Sequence, residues 1–198
     1  MVLGELGKLP LAETIRSRVL LFWFKIVTNK NKHKLSCIMY QLARKMFNSS
    51  VEYNSKWITY VKTSLEDLGL SFVWITQGTL DKSQQTWFKN TVNRQIKDRF
   101  ITVWRAGTEA SPNCINYRLF KSMFECELYI KKLPTFLAIS LMKFRCRNTK
   151  LPVVKLRYDN LVYSPECTLC DSGEIGDEFH VLLKCPFLKE ERRKLLGK

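Results

Sequence analysis

Four side chains near the C-terminus constrain this chain more than any other feature. They are Cys167, Cys170, His180 and Cys185, spaced C-x2-C, nine residues, then H-x4-C. Two cysteines separated by two residues turn a tight knuckle that points both sulfurs at one ion, and zinc takes such sulfur and imidazole donors at tetrahedral corners about 2.0–2.3 Å away. A helix is expected over Asp177–Lys184, with His180 and Cys185 on it or just past its end, and Pro186 prevents its continuing unbroken. Asp171–Gly176 carries two glycines and reads as a polar turn. Chance would leave three unrelated thiols and a surface histidine, yet the chain has only two histidines and one falls at ligand spacing. Four protein ligands close the coordination sphere, so the expected zinc is one structural ion. In a module this small it would supply folding free energy on the order of 10 kcal/mol.

The other cysteines, Cys37, Cys114, Cys126 and Cys146, lie scattered in apolar or helical contexts, where a free thiol behaves as a small buried hydrophobe. A secreted disulfide framework does not explain the pattern. No run approaches the roughly 20 apolar residues of a membrane span, and Arg16, Arg18 and Lys25 bracket the short stretch Val19–Phe24 too closely for a targeting signal. The expected location is therefore the nucleus or cytoplasm, neither secreted nor membrane-spanning.

Upstream of the knuckle the period is helical. Leu11, Ile15, Val19, Phe22 and Ile26 form one stripe behind Pro10, and Leu35, Ile38, Leu42 and Met46 form a second. Trp57, Ile58, Val61, Leu65 and Leu68 form a third, which starts near Ser55 and ends at Gly69. Ser71–Thr76 fits a strand or an extended connector. The longest pattern, Ser83–Trp104, places Phe88, Val92, Ile96, Phe100 and Trp104 four apart. Gly107–Asn113 reads as a loop, followed by helices over Tyr117–Ile130 and Thr135–Arg145. Aromatics at this spacing are read as core rather than as a base-stacking platform. Beyond Asn148 the helical period fades: Pro152 breaks helix, and Val153 and Val154 prefer extended backbone. The fold class expected is mainly α, a multi-helix body over residues 1–147 with a small C-terminal zinc-knuckle module over 148–198.

Thirty-three Lys and Arg against eighteen Asp and Glu leave a formal charge of +15, which favours polyanionic partners, nucleic acid first. Between Lys143 and Tyr158 stand Lys143, Arg145, Arg147, Lys150, Lys155 and Arg157 with no acidic residue, interleaved with Phe144 and Tyr158 on which a base could stack. Lys184 and, past the knuckle, Lys189, Arg192, Arg193, Lys194 and Lys198 extend the patch. The bland alternative is a solvated charged surface. Nothing in the patch reads base identity, so weak sequence preference is expected, for RNA or DNA. No G-x-x-x-x-G-K, H-E-x-x-H or G-x-S-x-G pattern occurs and His33 has no evident catalytic partner, so no enzyme and no small-molecule substrate are expected.

Several runs, in order, carry a resemblance. They are Gly4-Glu5-Leu6-Gly7-Lys8-Leu9-Pro10-Leu11, Phe22-Trp23, Val73-Trp74, Asp98-Arg99-Phe100 with Trp104, Tyr117-Arg118 and Phe120-Lys121. Glu127-Leu128-Tyr129, Lys143-Phe144-Arg145, Leu151-Pro152, Gly176-Asp177-Glu178-Phe179-His180 and Cys185-Pro186 follow. Together they resemble the region after the thumb in reverse transcriptases of LINE-type (non-LTR) retrotransposons. The pattern departs at Leu156, where a Gly would precede Arg157, and at Pro165, where a basic residue would stand. The resemblance implies the C-terminal region of such a polyprotein, in which a CCHC knuckle helps bind element RNA or target DNA. The paired aspartates of a polymerase palm and an endonuclease signature are missing from the sequence, so the expectation is a non-catalytic nucleic-acid-binding fragment. The alternatives are a zinc-stabilised helical protein-interaction domain, or a degenerate remnant without present function.

Overall fold

The computed structural model describes residues 2–49, 55–111, 114–155 and 164–196. The fold is mainly helical, as the periodicity predicts, and among the described residues β-pairing is confined to two isolated bridges. In chain order the helices are α1 (Val2–Leu6), α2 (Leu11–Val27), α3 (Leu35–Ser49), α4 (Lys56–Asp67), α5 (Ser71–Ile75) and α6 (Gln85–Ala110). Then come α7 (Ile115–Phe120), α8 (Leu128–Lys132), α9 (Thr135–Arg145), α10 (Pro152–Lys155) and α11 (Lys189–Leu196). The chain divides into two compact units, residues 8–105 and residues 1–7 with 106–198. The change of texture at residue 148 falls inside the second.

In the unit of residues 8–105, one apolar cluster joins α2, α3, α4, α5 and α6. α4 begins where Ser55 accepts a hydrogen bond from the Ile58 N–H and buries Ile58, Val61 and Leu65. α6 buries Phe88, Val92 and Ile96, the expected stripe, and Asp81 with Gln84 forms a capping box just before it. The predicted faces of α2 and α3 are displaced. The C-terminal half of α2, Val19–Val27, is apolar nearly all round apart from Lys25, so spacing alone does not choose its inner side. Trp23 and Phe24 choose it: Phe24 stacks on Phe88 at 4.3 Å between ring centroids and Trp23 on Trp74 at 5.8 Å, while Leu11, Ile15 and Phe22 stay exposed. Each such pair adds about 0.5–1.5 kcal/mol beyond its burial. On α3, Tyr40 and Cys37 are buried and Leu35, Ile38, Leu42 and Met46 face solvent. The Tyr40 hydroxyl accepts from the Trp23 indole at 3.0 Å and donates to Gln77, which sets the helix's rotation.

Ser71–Ile75 forms α5, capped by Thr76, and is not an extended segment. Val73 enters the core there, and tertiary packing outweighs β-branched preference.

In the other unit, α9 packs on α7 and α8. α6 runs on through Gly107 to Ala110, overriding the first four residues of the expected Gly107–Asn113 loop, of which Pro112 and Asn113 lie outside the described residues; the Arg118 guanidinium donates to the Glu109 carbonyl at 2.8 Å and so covers an otherwise orphaned helix end. The expected Tyr117–Ile130 helix is broken into α7 and α8. Between them the chain pairs with the N-terminal segment: Leu6 bridges Cys126, and the Glu127 N–H donates to the Glu5 carbonyl at 3.0 Å. Gly7 makes this approach possible. It has φ of 59°, and a Cβ there would lie 2.5 Å from the Cys126 nitrogen. Residues 152–155 form the short helix α10 rather than extended backbone, with Pro152 at its first position, where a missing N–H costs nothing.

Candidate metal centre

The segment 165–176 folds back on itself. Glu166 bridges Ile175, the Cys167 N–H donates to the Glu174 carbonyl at 2.8 Å, and the Gly176 N–H donates to the Pro165 carbonyl at 2.8 Å. Gly176 is needed for its size: a Cβ there would meet the Cys167 Cα and Pro152 Cγ at 3.0 Å each. The loop thus presents Cys167 and Cys170 to the helical turn that starts at Glu178. The Asp177 carboxylate accepts from the His180 N–H at 2.7 Å, capping that turn.

His180–Lys184 winds as a wide π turn, closed by the Cys185 N–H donating to the His180 carbonyl at 2.7 Å. A five-residue step suits this winding, and it returns Cys185 to the side of His180.

Cys167, Cys170, His180 and Cys185 converge, with one ligand atom from each lying within 4.8 Å of the others. The Cys167 and Cys185 sulfurs are 4.0 Å apart, and the Cys170 sulfur is 3.4 Å from His180 Nε2. Tetrahedral zinc–thiolate bonds of about 2.3 Å would set sulfur–sulfur edges of about 3.8 Å, so the spread suits a four-coordinate ion. The cluster could hold one metal ion, and Cys167, His180 and Cys185 are buried.

Two partners were not anticipated from the sequence. Glu174 Oε2 lies 2.7 Å from His180 Nδ1, which leaves Nε2 facing the sulfurs. Ser172 Oγ lies 3.1 Å from the Cys170 sulfur. A carboxylate inside the ligand-bearing loop was the available signal for the first. These contacts set the titration of the metal-free cluster. Hydrogen bonds from Ser172, side chain then backbone, pull the Cys170 thiol down to about 6. Glu174 raises His180 to about 9, against the effect of burial, and burial pushes the Cys185 thiol up. An incoming cation must therefore displace protons from His180 and Cys185.

Behind the centre, Arg147 adopts φ of 51° and its guanidinium meets buried Glu178 at 3.2 Å, tying the end of α9 to the His180 turn.

The expected basic track is only partly a surface. Arg145 is buried: it contacts Glu5 at 3.4 Å and Glu127 at 3.1 Å, donates to the Phe120 carbonyl, and lies against the Phe120 and Tyr129 rings. Arg147 is held by Glu178. These two belong to the architecture and are withdrawn from the candidate nucleic-acid surface.

Lys143, Lys150 and Lys184 are exposed, as are Arg193 and Lys194, which pair with Glu190 and Glu191 along α11, while Arg192 is half-buried. Phe144, half-buried, lines apolar hollows beside the centre. Arg157, Tyr158, Lys198 and the side chain of Lys155 lie outside the described residues. Among the described residues no helix is long and apolar enough to cross a membrane. No family model, no curated protein and no solved structure matches the chain.

Proposed function

We propose that the Cys167–Cys170–His180–Cys185 cluster holds one structural zinc ion and that the chain is a non-catalytic nucleic-acid-binding module. The convergence of four soft and borderline donors within 4.8 Å carries this reading. Three thiolates with one imidazole are a donor set zinc favours over hard cations, and four protein ligands leave no place for a water nucleophile. Lys143, Lys150 and Lys184 on the flank, with net charge +15, supply the electrostatic footprint of a phosphate-binding surface. The ordered runs quoted above, which are similar to the C-terminal region of LINE-type reverse transcriptases, point to the same role and to a nuclear or cytoplasmic setting.

The test has two stages. Elemental analysis of the purified chain should give one zinc per molecule, and Cys170→Ser should lose it. A metal-free unmutated chain ends the proposal. Binding to RNA and DNA oligonucleotides should then weaken steeply with salt, at a log–log slope of roughly −0.9 per phosphate on duplex or −0.7 on single strand.

A second reading, a zinc-stabilised protein-interaction domain, is favoured by one observation. Leu119, Phe120, Phe179, Leu182 and Leu183 line an apolar hollow of about 200 Å³ on the same unit, and all five are exposed. Salt-insensitive or undetectable nucleic-acid binding by zinc-loaded protein would select it.

A further inference from the structure

We infer that the α2–α3 loop and the start of α6 form a second phosphate-binding site, one that grips the phosphodiester backbone of nucleic acid independently of the metal centre. Lys25, Lys30, Lys34 and Lys82, with Thr28 and Gln85, line a cleft of about 360 Å³ that contains no acidic side chain. Among the described residues none of the four lysines makes an ion pair within 4 Å, whereas Lys62, Arg16 and Arg99 in the same unit each reach a carboxylate. Four ammonium groups facing one concavity repel one another unless an anion lies between them.

The site is prepared rather than merely charged. Asn29 Oδ1 accepts from the Asn31 N–H at 3.0 Å and Asn31 Oδ1 from the His33 N–H at 3.1 Å, so the loop between Lys30 and Lys34 has a set path. Lys32, the remaining lysine of the run, donates to the Val27 carbonyl at 2.9 Å and covers the negative end of α2, which would otherwise repel an anion. The nearest acid in sequence, Asp81, accepts from the Lys82 N–H and the Ser83 hydroxyl as a helix cap; its carboxylate keeps its charge, acts electrostatically on Lys30 and offsets only part of the positive charge of the four lysines. Gln85 adds a neutral hydrogen-bonding group to the lining, while the Thr28 hydroxyl already donates to the Phe24 carbonyl at 2.8 Å. A phosphodiester fits these terms, with a localised negative charge, several acceptor oxygens and no need for an apolar wall.

This inference rests on the proposed nucleic-acid reading but on different residues, and one experiment separates the two. The full zinc-loaded chain is compared with a Lys30→Gln, Lys34→Gln, Lys82→Gln triple variant, and with a Lys45→Gln, Lys56→Gln, Lys97→Gln triple that removes the same charge from exposed positions elsewhere in the unit. Anisotropy titrations use mixed-sequence single-stranded and duplex oligonucleotides over a range of salt, and Trp fluorescence checks that both variants are folded.

The cleft variant should bind about tenfold more weakly or worse at low salt, with a log–log slope shallower by about two, and the control triple should change the slope by less than one. Equal effects of the two triples, or no effect of the first, would overturn the site while leaving the knuckle reading intact. Absence of any binding by the unmutated chain would remove both. Vesicles of equal parts phosphatidylserine and phosphatidylcholine serve as the competing anionic surface. Cleft-dependent binding to them that exceeds binding to nucleic acid would refute the assignment of the partner.

Discussion

Replacing Arg145 with Met tests whether its charge belongs to the interior or to a nucleic-acid surface. Among the described residues its guanidinium is the one cation within ion-pair reach of Glu5, a residue with no solvent exposure, and the pair is 3.4 Å apart. Glu127 would survive the loss, because Lys121 contacts it at 2.6 Å. Glu5 would not, since among the described residues only the Tyr129 hydroxyl would remain on its carboxylate. Removing one partner of a buried pair costs about 3–5 kcal/mol, mostly from the stranded charge. The side chain is itself nearly buried, so solvent screening reduces this little. Loss of contact with the Phe120 and Tyr129 rings adds to it. Chemical denaturation followed by circular dichroism should therefore show a stability loss of about 3 kcal/mol or more. Adding Glu5→Gln should recover part of it, giving a double variant less damaged than the sum of the singles. An Arg145→Met protein of normal stability whose nucleic-acid affinity has dropped would refute this placement and return the residue to the surface track.

Glu174→Gln should keep one zinc per chain but weaken its retention about 10–100-fold in competition with a chelator, because the carboxylate orients His180 without ligating. Gly7→Ala should destabilise the chain by well over the about 1–2 kcal/mol of a left-handed alanine, whereas Gly69→Ala, whose Cβ would meet nothing within 4 Å, should stop near that figure; thermal melting ranks them. Phe88→Ala should cost about 3–5 kcal/mol in denaturant titration, since it removes the partner of Phe24 from a fully buried position. Although burial works to raise it, the Glu127 carboxyl is held below its ordinary 4.5 by Lys121 and Arg145. Its contribution is therefore present above about pH 4.5 and lost as pH falls through the lower folded value, and Glu127→Gln should flatten the acid limb of the stability curve.

The helices α4 and α6 were legible because each carries a single apolar stripe, α4 starting at Ser55, and α9 because it follows Pro134. The cluster of Cys167, Cys170, His180 and Cys185 was legible because a metal site dictates both residue type and spacing, which few other constraints do. What was not legible depends on distant partners. α3 presents a clean stripe, yet it is turned by one polar link from Tyr40 to Trp23 and Gln77, which spacing does not encode. The break between α7 and α8 follows from pairing with residues more than a hundred positions earlier, Glu5 and Leu6.

The same distinction bears on the charge argument. A net +15 measures cations in the sequence, but phosphate binding depends on cations that have no partner in the fold. The densest basic run, Lys143–Arg157, contributes fewer of these than it promises, because Arg145 neutralises buried Glu5 and Arg147 neutralises Glu178 beside the Cys/His cluster. The run at Lys30–Lys34 contributes more, since its neighbours are asparagines and, among the described residues, Lys30 and Lys34 make no ion pair, although Asp81 acts on Lys30 from a distance. Arg145→Met should thus act on melting with little change in salt slope, and the cleft lysines should act on salt slope with little change in melting. If the two groups of substitutions could not be told apart by these two readouts, burial would be the wrong criterion for sorting the positive charges of this chain.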